Sequence, residues 1–124
     1  MSSHPVENIP LDPPKTLPST QQVLASLQNC EVMCEHMTMY MKYRYDVQYR
    51  VVQLQLLRDC ADMCGITAKY IARTSCSAKI TAGLCACICE LCAVECAKFP
   101  DPESQHCAQV CLHCARDCRA FAMM

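Results

Sequence analysis

Fourteen of the 124 residues are cysteines, and twelve of them recur at steps of four and three residues. Cys85, Cys89, Cys92 and Cys96 form one such run, and Cys107, Cys111, Cys114 and Cys118 form another. Cys30 with Cys34, and Cys60 with Cys64, add two more C-x-x-x-C pairs. On an α-helix, residues four apart share a face, with Cβ atoms about 5–6 Å apart. A disulfide needs about 3.8 Å between Cβ atoms and a defined dihedral. The pattern therefore makes poor disulfides but good pairs of jaws for a metal ion held between two sulfurs. Thiolates are soft ligands, which select Cu(I), Zn or iron–sulfur clusters.

The metals differ in what they ask of the chain. Structural zinc wants four ligands converging tetrahedrally, usually from loops with paired C-x-x-C elements. Cys89/Cys92 and Cys111/Cys114 have that spacing, but each pair is embedded in a continuous helical stripe. Bacterial iron–sulfur ligation commonly uses C-x-x-C-x-x-C-x-x-x-C-P; the run from Cys85 to Cys96 is spaced differently and lacks the proline. A ladder of thiolates along a tube suits many ions with shared, bridging sulfurs, and Cu(I) accepts two-sulfur coordination readily. Multiple Cu(I) ions are the favoured cargo. Twelve cysteines are also a weak way to fill a core, since Leu or Ile would pack it with better-defined volume.

The elements that must position these thiols are helices. No proline lies between Pro18 and Pro100, and the chain has only two glycines. Residues 1–18 hold five of the seven prolines and are expected to form an extended arm. A first helix over about 19–42 carries Val23, Leu27, Cys30, Cys34, Met37 and Met41 on one heptad stripe. A second, over about 46–73, is expected to bury Val52, Leu56, Cys60, Met63, Thr67 and Tyr70, widened by Leu57, Cys64 and Ile71. A third, over about 76–99, aligns Ala78, Ala82, Cys85, Cys89, Cys92, Cys96 and Phe99. Asp101 caps a fourth, over about 102–122, with Pro102 at the tolerated first position. Four helices joined by short connections predict an all-α, antiparallel up-down-up-down four-helix bundle, residues 19–124. Its core is expected to take Cys30, Cys34, Cys60, Cys64, Cys85, Cys89, Cys92, Cys96, Cys107, Cys111, Cys114 and Cys118 as metal ligands.

Composition narrows the partners. Net charge is -1 with no long run of either sign, so nothing attracts nucleic acid. No apolar stretch reaches the length of a membrane span, and the N-terminus lacks an export signal. A cytosolic location is expected, where thiols stay reduced and read as metal ligands. In the antiparallel arrangement Met37, Met41, Cys96 and His106 converge at one end with His36 beside them, a mouth through which Cu(I) would pass. Against this, Met37 and Met41 also fit as plain core, and both histidines fit as solvated groups. Cys87 sits about 200° around its helix from Cys85, so it points outward. Cys76 lies at the start of the third helix, and both thiols read as lying outside the core. Met33 and Met63 read as flanking packing residues, His113 as a surface group, and Met39 as outward-facing. Enzyme readings are weak: a di-iron bundle needs Glu-x-x-His on two helices, and only Glu103-x-x-His106 occurs. A thiol oxidoreductase would need a βαβ setting that is absent. A structural or interaction bundle with inert cysteines remains the other class.

The doubled block Cys85-x-x-x-Cys89-x-x-Cys92-x-x-x-Cys96 and Cys107-x-x-x-Cys111-x-x-Cys114-x-x-x-Cys118 resembles the bacterial four-helix-bundle copper storage proteins. The resemblance spans roughly residues 20 to 122. It implies storage of many Cu(I) ions without catalysis, in a homo-oligomer that is often a tetramer, and a cytosolic place for members lacking an export signal. The first two helices supply only one C-x-x-x-C each, where cytosolic members often carry more, which implies a reduced capacity.

Overall fold

The computed structural model describes residues 17–124, so the proline-rich arm expected over 1–18 falls almost wholly outside the described residues. Four α-helices follow one another: α1 Thr20–Lys42, α2 Val51–Ala72, α3 Ala78–Cys96 and α4 Pro102–Ala122, with a 3-10 turn at Val47–Tyr49. Each packs on the next and α4 closes back on α1. The chain runs up-down-up-down around one core, as the four stripes require. Among the described residues, no helix is long and apolar enough to cross a membrane.

Local chemistry sets where the helices start and stop. Ser19 caps α1: its hydroxyl accepts from the Gln22 N–H, and the Gln22 side chain returns the bond to the Ser19 N–H. Asp101 caps α4 by accepting from the Ser104 N–H, with Pro102 just inside. The second helix begins at Val51 rather than near 46. Asp46 has its carboxylate taken up by Arg44 and Arg50, and the chain first makes the 3-10 turn. The third helix ends at Cys96, short of Phe99. There the Gln105 amide donates to the carbonyls of Ala97 and Phe99, satisfying acceptors the helix leaves open.

The α1 stripe is buried as its spacing predicts, and so are the cysteine stripes of α3 and α4. On α2 the expected Leu57, Cys60, Cys64, Thr67 and Ile71 are buried, but the other expected positions are not. Val52 is 55% exposed, and Leu56, Met63 and Tyr70 are only partly covered; the buried line is Gln53, Leu57, Cys60, Cys64, Thr67 and Ile71. That line keeps strict steps of four and three through both α2 cysteines, at the cost of burying an amide. The stripe chosen for hydrophobicity at its first turn breaks that alternation.

Candidate metal centre

All twelve inward cysteines are fully buried free thiols. Each helix brings its own sulfurs to the axis, and they interleave. Cys60 Sγ lies 3.6 Å from Cys89 and 3.8 Å from Cys30. Cys111 lies 3.8 Å from Cys30 and 3.9 Å from Cys34. One layer further, Cys64 approaches Cys89 at 3.8 Å, Cys85 at 3.9 Å and Cys114 at 4.0 Å. Cys85/Cys89, Cys107/Cys111 and Cys114/Cys118 meet along their own helices at 3.9–4.0 Å. These separations are about twice a disulfide bond. These contacts link ten of the twelve sulfurs into one column of thiols that are not bonded to each other, and Cys92 and Cys96 continue the α3 stripe within the same core.

Within that column two sets of four close up: Cys30, Cys60, Cys64 and Cys89, and Cys30, Cys34, Cys60 and Cys111. In each, every sulfur lies within 4.8 Å of the others. The sets share Cys30 and Cys60, so they are overlapping stretches of a continuum rather than two separate pockets. Shared sulfurs are what bridging coordination needs. The thiols titrate as a group. Hydrogen bonds from Cys111 and Cys34 hold Cys92 down to about 7. Cys111, crowded by Cys107 and Cys30, is pushed well above the ordinary thiol value.

The expected mouth is rearranged. Met37 and Met41 are buried at the column's end. His36 and His106 are exposed on the outside of the bundle, so neither imidazole shares the enclosed space with the Met pair. What stands there instead is a buried polar cluster centred on Arg50, only 2% exposed. Its Nη1 lies 2.9 Å from Asp101 Oδ1, 3.1 Å from Gln53 Oε1 and 4.0 Å from Met41 Sδ. Its Nη2 pairs with Asp46 at 3.2 Å, and the guanidinium lies 4.0 Å from the centre of the Phe99 ring. Gln53 Nε2 donates to Ser104 Oγ at 2.9 Å and faces Cys96 Sγ at 3.5 Å. Sequence reading misses this cluster, yet Gln53 and Ser104 both continue cysteine stripes at heptad spacing, Ser104 one step before Cys107. That is the signal that could have found them. At the opposite end Val23, Leu27, Ile71, Ala78 and Ala82 close the column with hydrocarbon.

Outside the core, Cys76 and Cys87 are exposed, as expected from their positions. Cys87 lies beside the guanidinium of Arg119 at 3.9 Å. His113 is a surface group between Arg116 and Asp117.

A four-helix bundle whose axis is a connected thiol column belongs to the class of metal–thiolate containers. The chain is a member of the copper storage protein family, whose model matches residues 17–123. It is similar to the Cu(I)-bound copper storage protein BsCsp3, with a TM-score of 0.79 and 32% identity over 83% of this chain and 97% of that one. The apo form of copper storage protein 3 from Bacillus subtilis is similar to the same degree, TM-score 0.79 and 30% identity, over 84% and 99% of the two chains. A curated relative, the uncharacterized cysteine-rich protein YhjQ of Bacillus subtilis (strain 168), is 41% identical over 69 residues. That match spans 56% of this chain and 64% of the relative.

Proposed function

We propose that this protein stores multiple Cu(I) ions on the thiolates of Cys30, Cys34, Cys60, Cys64, Cys85, Cys89, Cys92, Cys96, Cys107, Cys111, Cys114 and Cys118, without catalysing a reaction. The observation that carries it is the column of twelve buried sulfurs, ten of them linked at 3.6–4.0 Å, in a bundle of the copper storage family. Burial excludes water and the oxidants that would attack thiolates or Cu(I). Sulfur selects the soft monovalent ion over hard cations. Copper reaches the column at the Met37/Met41 end, where thioethers can hand it to Cys96 and Cys34. The workplace is the reducing cytosol, where such thiols persist.

Anaerobic titration of the reduced protein with Cu(I) against a competing chelator tests this. Storage gives tight binding of roughly one ion per core thiol, on the order of ten, because bridging sulfurs are shared. Saturation at one or two ions would instead mark a discrete zinc or iron–sulfur site; no tight binding at all would leave an inert structural bundle.

The protein is further proposed to act as a homo-oligomer, a tetramer by resemblance. The outer face of α3 supports this: Ile80, Leu84, Cys87, Leu91 and Val94 repeat the four-three spacing on the side opposite the thiols. The four apolar members are each more than half exposed. Isolated exposed leucines are ordinary, but an aligned seam of them marks a helix-packing surface. Lys79 lies at one end of this seam and Glu95 at the other. Antiparallel pairing of two copies sets unlike charges together, and parallel pairing sets like ones together.

A further inference from the structure

We infer that Arg50 is the gate of the copper column: its guanidinium plugs the Met41 end, and ions pass only when it swings out of its seat between Asp46 and Asp101. This rests on the storage reading and on access at the Met37/Met41 end.

The seat is built for a side chain that leaves and returns. Arg50 is the N-cap of α2 and follows the 3-10 turn Val47–Tyr49, so its backbone belongs to a connection rather than to a helix interior. Such segments open locally at lower cost than helical cores. Its partners come from three places: Asp46 in the same connection, Asp101 and Ser104 at the start of α4, and Gln53 one turn into α2. The Phe99 ring covers the guanidinium from the turn after α3. The plug thus ties together both connections at this end of the bundle.

In place, the plug closes the column in two ways. The guanidinium sits 4.0 Å from Met41 Sδ, the thioether that would receive an incoming ion. Through Nη1 it also fixes the amide of Gln53, whose Nε2 is turned to Cys96 Sγ, the thiol nearest this end. With its charge balanced by Asp46 and Asp101, the guanidinium blocks by filling the space beside Met41, and the amide nitrogen offers the metal no lone pair. Swinging Arg50 outward clears that space and frees the Gln53 amide to turn away. That motion uncovers Asp46, Asp101, Gln53 and Ser104, which water satisfies, together with only the Met41 thioether and one face of the Phe99 ring. Opening the far end would expose Val23, Leu27 and Ile71 to water, which is disfavoured in proportion to the apolar area uncovered. One end is a door and the other is a wall.

Stopped-flow Cu(I) uptake by the reduced full chain, with capacity measured in parallel, tests the gate. Arg50→Ala removes the plug and is expected to speed uptake by on the order of tenfold or more, since a buried ion pair is lost. Asp46→Asn weakens the seat from its more exposed side and is expected to speed uptake about two- to fivefold. Capacity stays at the wild-type value in both, which separates gating from ligation. Should Arg50→Ala fold poorly by circular dichroism, Asp46→Asn carries the test alone. Wild-type rates in the folded variants, with slower uptake in Met37→Leu/Met41→Leu, overturn the gate and keep the access route. Wild-type rates in all of these overturn both, while the equilibrium capacity still judges storage.

Discussion

Cys64 shows what each residue contributes to the column. It meets Cys85 and Cys89 from α3 and Cys114 from α4, so losing its sulfur interrupts bridges to two helices. Cys64→Ala is therefore expected to lower Cu(I) capacity by at least one ion. Cys76→Ala and Cys87→Ala, at exposed positions, leave capacity unchanged. Chelator-competed titration of the three variants checks this; an undiminished capacity for Cys64→Ala would show that the column does not act as a connected ligand set. The twelve thiols were legible one residue at a time because spacing alone puts them on inner faces. Arg50 was not, since nothing in a charged residue beside a turn says that it will be enclosed. Only the meeting of Asp46, Asp101 and Phe99 around it makes burial tolerable.

Element ends decide how firmly the helices hold the column. α2 stops in a Schellman arrangement: the Ser75 N–H bonds the Tyr70 carbonyl and the Thr74 N–H bonds the Ile71 carbonyl. This requires a left-handed residue at position 74, and Thr74 adopts φ 54° although it is β-branched. Thr74→Gly is expected to stabilise the protein by about 0.5–1 kcal/mol, seen as a higher midpoint in denaturant unfolding with unchanged slope. A lower midpoint would mean that the Thr74 side chain contributes more than its strain costs.

The two connections at the gated end answer to acid. Burial pushes the Asp101 carboxyl up, but hydrogen bonds from Ser104 and the Arg50 charge outweigh it and hold it below the usual range. Hydrogen bonding from Arg44 lowers Asp46 in the same way. Groups with depressed native pKa values stabilise the fold fully above the unfolded-chain value, about 3.9 for Asp, and lose that contribution as pH falls through the native one. Stability is expected to drop as pH is lowered below about 4, and less steeply in Asp101→Asn. Unfolding curves from pH 5 to 2 measure both; identical slopes would rule out the Asp101 pairing as the acid-sensitive element.

For the whole molecule, the proposed assembly face is the exposed apolar seam on the outside of α3. Leu84→Glu/Leu91→Glu places charges along the seam and is expected to shift sedimentation toward the monomer while leaving helicity and Cu(I) capacity unchanged. Unaltered sedimentation of a wild-type oligomer would move the interface to another face. The thiol column faces the axis of the bundle, so the buried cysteines and the exposed seam lie on opposite sides of α3.

The sequence by itself determined the class of the fold, the inward set of cysteines and the kind of ion they suit, because a four-three repeat is a property of one helix and needs no partner to be read. It did not determine the register of α2, where two stripes competed. The tertiary structure chose the one that keeps Cys60 and Cys64 on the axis and buries Gln53. It also decided what stands at the proposed mouth. Met37 and Met41 are buried at the column's end as their stripe predicts, but what covers that end depends on side chains from two connections meeting in space. No periodicity in the chain encodes that meeting.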